Sequence, residues 1–166
     1  AQKKGDIQGI VLRLSNVLGP PAHKNANCWM LLANELCKKV IQTNRIEIKS
    51  SGLQFRDFIP MSEVCRAIGF LAGNNLALGC YNLCSEYSIS VLAIAQLIQK
   101  RCGIVLNTQP SLHTFNVKLE EKYEVLNIEM SGLKKIGFHV DSDLTAEIDS
   151  LLVACKKWFF YKNKNV

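Results

Sequence analysis

The sequence lacks the short motifs that identify common metal and catalytic sites. Its three histidines and seven cysteines form no H-E-x-x-H, H-x-H or C-x-x-C spacing, so no zinc site is indicated. A G-x-S-x-G nucleophile turn is absent, and so are the glycine-rich turns that hold a dinucleotide. None of the four tyrosines has a lysine four positions later. The chain therefore contains no complete catalytic set that we recognise.

Long apolar runs are also missing. No stretch is long enough to cross a bilayer, and the first residues, Ala-Gln-Lys-Lys-Gly-Asp, lack the apolar region of a signal peptide. The net charge of +6 is scattered, without the basic stripe and exposed aromatics of a nucleic-acid groove. We expect a cytoplasmic protein that binds neither membrane nor nucleic acid. The mild positive bias suits an anionic small ligand.

The cysteines are odd in number, and most lie at apolar positions of periodic segments. This pattern favours reduced, buried thiols over disulfides or metal ligands. The residues concerned are Cys28, Cys37, Cys65, Cys80, Cys84, Cys102 and Cys155.

Short strands alternate with helices throughout, which predicts an α/β protein of one domain with a substantial core, since 48% of residues are hydrophobic. The run 7–14 is nearly continuous in apolar residues, as in a parallel strand covered on both faces. Further strands are expected at 46–49, 58–59, 79–83 and 105–106. Helices are expected at 28–43, 62–72, 91–101, from 131, and 144–160. The expected helix caps are Asn25 or Asn27, Ser62, Ser88 or Ser90, and Asp141 or Ser142.

Two stretches carry most of the functional information. Arg56 lies between Phe55 and Phe58 at the start of a short apolar strand, where it could bind an anion. Asn16 ends the first apolar strand. The alternatives are a salt bridge of Arg56 with Asp57 or Glu63, and a plain turn residue at Asn16. Asp57 itself fits a structural role.

These stretches belong to a set of four ordered segments, 13–20, 52–59, 81–90 and 129–138. They resemble the patterns R-L-x-N-V-x-G-P, G-x-Q-x-R-D-F-I, Y-N-I-G-S-G-x-S-I-S and D-x-S-K-x-K-K-L-G-F. The chain is thereby similar to the extended short-chain dehydrogenase/reductases, the NAD-dependent nucleotide-sugar epimerases and dehydratases.

The resemblance implies the C-terminal part of a Rossmann-like fold, with the last strands of the parallel sheet and a small substrate-binding α/β subdomain. Residues 1–166 are then expected to be the substrate-binding half, with the N-terminal dinucleotide-binding half absent from this chain. NAD or NADP would be bound mainly by that other half, and the chain would be inactive alone. We expect self-association or a separate N-terminal half as partner, because the first strand has lost its neighbour.

The resemblance also implies roles for individual residues. Asn16 and Arg56 would contact the diphosphate of a nucleotide sugar, and Asn27 and Trp29 would border the nucleotide. Residue type alone favours a core anchor over a ligand platform for Trp29, whereas its place at the helix start beside a polar loop keeps the second role open.

Ser15 and Val17 would border the nicotinamide of the cofactor. No residue is expected to bind a metal or to act in catalysis.

The sequence departs from the family pattern in four places. Gly132 replaces a common lysine, and the loop from Pro21 to Asn27 is longer than usual. Met61-Ser62-Glu63 replaces an acidic pair, and the stretch before Glu129 has only Lys118 and Lys122 where many members have a second phosphate-binding arginine. Two alternatives therefore stay open: a non-catalytic binding or assembly module of the same fold, and a reductase acting on a non-sugar substrate.

Overall fold

The computed structural model describes residues 9–73, 78–115, 123–141 and 143–160. Within these ranges strands and helices alternate as the sequence predicts. The strands are β1 (Ile10–Leu14), β2 (Asn16–Leu18), β3 (Arg45–Ile48), β4 (Phe55–Pro60), β5 (Gly79–Leu83), β6 (Ser88–Ser90) and β7 (Ser111–Thr114). The helices are α1 (Leu32–Thr43), α2 (Met61–Ala72), α3 (Val91–Val105), α4 (Ser131–Lys135) and α5 (Leu144–Phe159). No helix among the described residues is long and apolar enough to span a membrane.

The strands form three small sheets in which parallel pairing dominates. β1 pairs with β5, β2 with β4, and β3 with β7, all in parallel. β6 adds to the other edge of β4 in the antiparallel sense. Parallel neighbours need a crossover, which the helices supply. The α/β class expected from the sequence is confirmed.

β4 lies between the two hydrophobic cores of the chain. Successive strand residues point to opposite faces of a sheet. Phe58 accordingly joins a core built with α1, α3 and α5, whereas Ile59 joins a second core with α2 and α4. Both side chains are almost fully buried. β4 is therefore held from both sides, and the residues at its start are fixed with it.

The prediction that the first strand is covered on both faces is wrong for this chain. Ile10, Val11 and Leu14 of β1 are 37%, 55% and 45% exposed. Among the described residues only β5 pairs with β1, so its other edge is open. The apolar run is there, but the described part of the chain supplies no cover for it.

Two helix boundaries differ from the sequence expectation. α1 begins at Leu32, after Leu31 as N-cap without a side-chain bond, so neither Asn25 nor Asn27 caps it. α3 continues through Gly103 to Val105, and the strand expected at 105–106 lies instead at β7. Val105 and the following Leu106 pack against the first core, which offsets the roughly 1 kcal/mol that a glycine costs within a helix.

Among the expected caps of α2, α3 and α5, the cap of α3 is confirmed and the other two are wrong. Ser90 caps α3, accepting a hydrogen bond from the Ala93 amide at 3.0 Å. α2 follows Pro60 directly, so Ser62 lies inside the helix and donates instead to Glu147 at 2.7 Å. Asp143, rather than Asp141 or Ser142, caps α5; position 142 lies outside the described residues.

All seven cysteines are free, as expected. Cys37, Cys84, Cys102 and Cys155 are buried. Burial raises the pKa of Cys102 to about 11 and that of Cys155 to about 12, so these thiols stay protonated. The expectation of burial is wrong for Cys65 and Cys80, which lie on open faces of α2 and β5, and Cys28 is only partly buried.

Glu86 occupies a backbone conformation that favours glycine. It follows β5 with a φ of 61°, in the left-handed region, where the resembling pattern has glycine. Its carboxylate accepts a hydrogen bond from the Met130 amide at 2.8 Å and another from the Lys134 ammonium. The Lys134 bond is the main reason that the pKa of Glu86 is lowered. The side chain thus ties the turn to the start of α4 and compensates for the backbone strain.

Candidate functional site

Asn16 and Arg56 lie on one face of the β2–β4 pair. Asn16 is opposite Phe58 in the parallel register, and Arg56 precedes Phe58 by two residues on the same strand. Because side chains alternate along a strand, all three point to the face of β2 and β4 that packs against α5. The structure therefore brings together the two residues that the sequence singled out.

Asp57, which follows Arg56 in β4, has a structural role. It is only 1% exposed, and its carboxylate accepts hydrogen bonds from the Ser85 amide at 2.9 Å and the Ser85 hydroxyl at 3.0 Å. The Asn16 side-chain amide donates to the Asp57 carbonyl at 3.0 Å. These bonds fix β4 against both β2 and the loop after β5.

The Arg56 guanidinium is exposed and has no acidic partner among the described residues. Its one hydrogen bond there goes to the carbonyl of Phe55 at 2.8 Å. Asp57 is committed to Ser85, and the buried Glu63 is held by the guanidinium of Arg66 one helical turn later. The alternative of a salt bridge from Arg56 to Asp57 or Glu63 is therefore wrong, and a charged fork is left for a ligand.

Arg56 lines a cleft of about 320 Å³ that lies between α1 and the end of β3. The floor is apolar, whereas the rim carries five charged side chains. The lining residues are Leu32, Glu35, Leu36, Lys39, Glu47, Ile48, Lys49, Ser50, Gln54, Arg56 and Val91. Lys39 pairs with Glu35 at 2.6 Å, so Lys49 and Arg56 are the rim cations without an ion pair among the described residues. The balance favours an anion.

The loop between β3 and β4 forms one wall of this cleft and is held rigidly. The Gln54 side chain donates to the Ser50 hydroxyl at 2.9 Å. The Gln54 and Gly52 carbonyls accept the first two amides of α3, from Val91 at 3.0 Å and Leu92 at 2.8 Å. Gly52 has a φ of 75°, and an added Cβ would lie 3.2 Å from the Leu92 nitrogen, so only glycine fits.

The structure does not bring Asn27 or Trp29 onto this cleft. Asn27 is exposed in the turns before α1. The Trp29 ring packs edge-on against Phe159 at 4.8 Å and Trp158 at 6.0 Å. It also lines a separate depression of about 350 Å³ that shares Glu35 and Lys39 with the first. The contacts of Trp29 are those of an anchor for α5, beside the cleft rather than in it.

Ser15 and Val17 flank Asn16 where β1 passes into β2. The Ser15 amide donates to the Leu83 carbonyl at 3.0 Å, while its hydroxyl is buried without a hydrogen-bond partner among the described residues. Val17 packs against the second core. The orphan hydroxyl leaves unused polar capacity at the carboxyl end of β1. The described ranges contain no cluster of residues that could hold a metal ion.

Sequence reasoning missed Lys39, Glu47 and Lys49. Each lies on the polar side of an amphipathic segment, where a solvated surface is the ordinary expectation. Their convergence depends on how α1 packs against β3, which the local pattern does not encode. Lys118 and Lys122 lie outside the described residues.

Parallel strands, crossover helices and a polar site at the start of β4 define a Rossmann-like α/β protein. A sequence model of the NAD dependent epimerase/dehydratase family matches residues 1–84. This chain belongs to that family. Among curated proteins, none matches it.

Solved structures share the fold at low identity. The UDP-N-acetylglucosamine 4-epimerase from Methanobrevibacter ruminantium M1, in complex with UDP-N-acetylmuramic acid, has a TM-score of 0.68 at 20% identity, covering 87% of this chain and 45% of that one. For the Bacillus cereus UDP-glucuronic acid 4-epimerase with UDP-glucuronic acid and NAD, the TM-score is 0.69 at 16% identity, and the match covers 94% of this chain and 48% of that one. For the Thermus thermophilus UDP-glucose 4-epimerase with NAD, the TM-score is 0.71 at 13% identity, and the match covers 95% of this chain and 49% of that one. The chain spans about half the length of these structures.

Proposed function

We propose that this chain is the substrate-binding half of an NAD-dependent nucleotide-sugar epimerase or dehydratase, and that Arg56 and Asn16 hold the diphosphate. The observation that carries the proposal is the unpaired Arg56 guanidinium in a cleft whose remaining cations outnumber its free carboxylates. A guanidinium fork matches two phosphate oxygens at once. Asn16 lies on the same face, outside the residues that line the cleft, and would add a neutral polar contact to the part of the ligand beyond it.

The lining of the cleft supports a nucleotide over a simple inorganic anion. About 320 Å³ lies at the lower end of the range of small-molecule sites and would hold part of a nucleotide sugar. Its apolar floor, with Leu36 and Ile48, suits a flat ring, and the charged rim suits phosphates. Two structural neighbours are described with bound UDP-sugars.

For the cofactor we propose NAD, bound mainly by residues outside this chain. The unpartnered hydroxyl of Ser15 and the adjacent Val17 fit the border of such a site. NAD, when bound, supplies reversible hydride acceptance. This chain contributes binding and orientation of the sugar nucleotide, and the acid–base pair comes from elsewhere, since no tyrosine here precedes a lysine by four positions. Alone, the chain is inactive.

The open edge of β1 supports a partner of the same fold. A strand of a dinucleotide-binding half would pair with this edge, helices of that half would cover the exposed Ile10 and Val11, and residues 1–166 would form the other half. Without that half we expect self-association through β1, because unpaired apolar edges recruit further strands. Light scattering tests this, and a monodisperse monomer at high concentration would contradict it.

The free thiols support a reducing compartment, for which we propose the cytoplasm.

The test of ligand binding is a calorimetric titration of UDP-glucose and UDP-glucuronic acid into the chain and its Arg56→Ala variant. A charge-assisted contact is worth about 2 kcal/mol, so the variant should bind about 30-fold more weakly. Lys135→Ala, which removes an exposed cation from α4, is the matched control and should bind as wild type does. Equal binding with and without Arg56 would refute the assigned role. Absence of binding by the wild type would favour the assembly module.

A further inference from the structure

We propose that Lys49 is the second phosphate-binding cation of this site, an inference that rests on the proposed function. A nucleoside diphosphate carries at least two negative charges, and Arg56 supplies one positive charge. Of the other two lysines and arginines on the rim, Lys39 is paired with Glu35. Lys49 is exposed and forms no ion pair among the described residues. It is the rim cation that remains free to meet the second charge.

The position of Lys49 is set by the rigid loop that separates it from Arg56. Lys49 directly follows β3, and Arg56 is the second residue of β4. Between them the Ser50–Gln54 hydrogen bond and the attachment of Gly52 to α3 close the loop. The two cations therefore stand at the ends of a fixed loop on one cleft. Such preorganisation lowers the entropic cost of binding.

This loop also excludes an anion site at the start of α3, one of the two helices whose first residue lines the cleft. The first three amides of α3 are already occupied by the Gln54 and Gly52 carbonyls and the Ser90 hydroxyl. A phosphate beside α3 therefore depends on side chains rather than on free amides of that helix.

Glu47 makes the second cation necessary. It lines the same cleft, and it precedes Lys49 by two residues, so both side chains project from the same side of the chain as β3 ends. Its carboxylate has no hydrogen bond or ion pair in the described ranges, although His113 lies opposite Glu47 on the neighbouring strand β7. An unpaired carboxylate repels a diphosphate, and Lys49 offsets that repulsion.

The test compares UDP with UMP, which differ by one phosphate. Calorimetric or NMR titrations measure both affinities for wild type, Lys49→Ala, Lys49→Arg, Lys135→Ala and Arg56→Ala. For wild type, UDP should bind more tightly than UMP. Lys49→Ala should weaken UDP binding about tenfold and UMP binding little, since a charge-assisted contact to one phosphate is lost. Lys49→Arg should retain the preference, and Lys135→Ala should match wild type.

The outcomes separate this inference from the proposed function. If Arg56→Ala weakens binding while Lys49→Ala leaves the UDP/UMP ratio unchanged, Lys49 has no such role and the proposed function stands. If neither variant alters binding, or wild type binds neither nucleotide, both proposals fail. Because Lys49 is exposed, its variants should unfold at the wild-type temperature, and a matching thermal transition confirms that folding is intact.

Discussion

Asp57 offers the sharpest test of how the site is held in place. It is a buried carboxylate without a cationic partner among the described residues, and it accepts two hydrogen bonds from Ser85. Replacing it with alanine removes both bonds and leaves the partly buried Ser85 amide without its acceptor. The perturbation therefore acts on the link between β4 and the loop after β5.

The magnitude follows from the contacts. Hydrogen bonds to a charged group contribute about 1.5–3 kcal/mol each, and the relief of burying a charge returns part of that. We expect Asp57→Ala to lower the free energy of unfolding by about 3 kcal/mol. At roughly 2–4 °C per kcal/mol for a chain of this size, the thermal midpoint should fall by about 6–12 °C.

Asp57→Asn is the matched control. Its amide keeps the shape, its oxygen can accept from the Ser85 amide, and its nitrogen can donate to the Ser85 hydroxyl. The loss should be about 1 kcal/mol. Urea unfolding of the three proteins, with unchanged slopes, measures both values. An alanine variant as stable as the asparagine variant would show that the Ser85 bonds do not hold β4.

Three further predictions concern other parts of the chain. Glu86→Gly should be more stable than Glu86→Ala by about 1 kcal/mol in urea unfolding, because both lose the carboxylate but only alanine keeps a Cβ in a left-handed conformation. Cys65 and Cys80 should react rapidly with a thiol reagent in the folded chain, whereas the buried cysteines should react only on unfolding. Glu35→Gln should tighten UDP binding about threefold by freeing Lys39 from its ion pair.

The Glu86 carboxylate also predicts an acid dependence. Its pKa is lowered in the folded chain, so its stabilising contribution is complete above the ordinary value of 4.5 and is lost as the pH falls through the folded value. Wild type should exceed Glu86→Gln in stability at pH 7 and lose that advantage in acid. An advantage that persisted at pH 2 would contradict the contact with Lys134.

Equal reactivity of all seven cysteines in the folded chain would contradict the prediction for Cys65 and Cys80. An unchanged affinity of Glu35→Gln for UDP would contradict the prediction for Glu35.

The sequence predicted the features that depend on local pattern. The bounds of β5 and the Ser90 cap follow from strand composition and a serine before an apolar helical run. The α/β alternation likewise needs no long-range information. Asn16 and Arg56 were assigned to one ligand by the resemblance of their two segments to the family patterns.

What the sequence could not predict depends on partners far along the chain. A ligand-binding role stayed open for Trp29 because its contacts, Trp158 and Phe159, lie near the other end of the described chain. The sequence could not show that Arg56 lacks an acidic partner, because Asp57 and Glu63 lie nearby in sequence. In the fold Asp57 binds Ser85, and Glu63 pairs with Arg66. The apolar residues of β1 predict a buried strand, but whether β1 is buried depends on which other segments pack against it, and its own sequence does not specify those.

The most direct measurement is a crystal structure of the chain, determined from crystals soaked with UDP-glucose. We predict the diphosphate within hydrogen-bonding distance of the Arg56 guanidinium, with Lys49 on its other side and Asn16 nearby. A nucleotide sugar bound away from Arg56, with the cleft between α1 and β3 empty, would contradict the central claim.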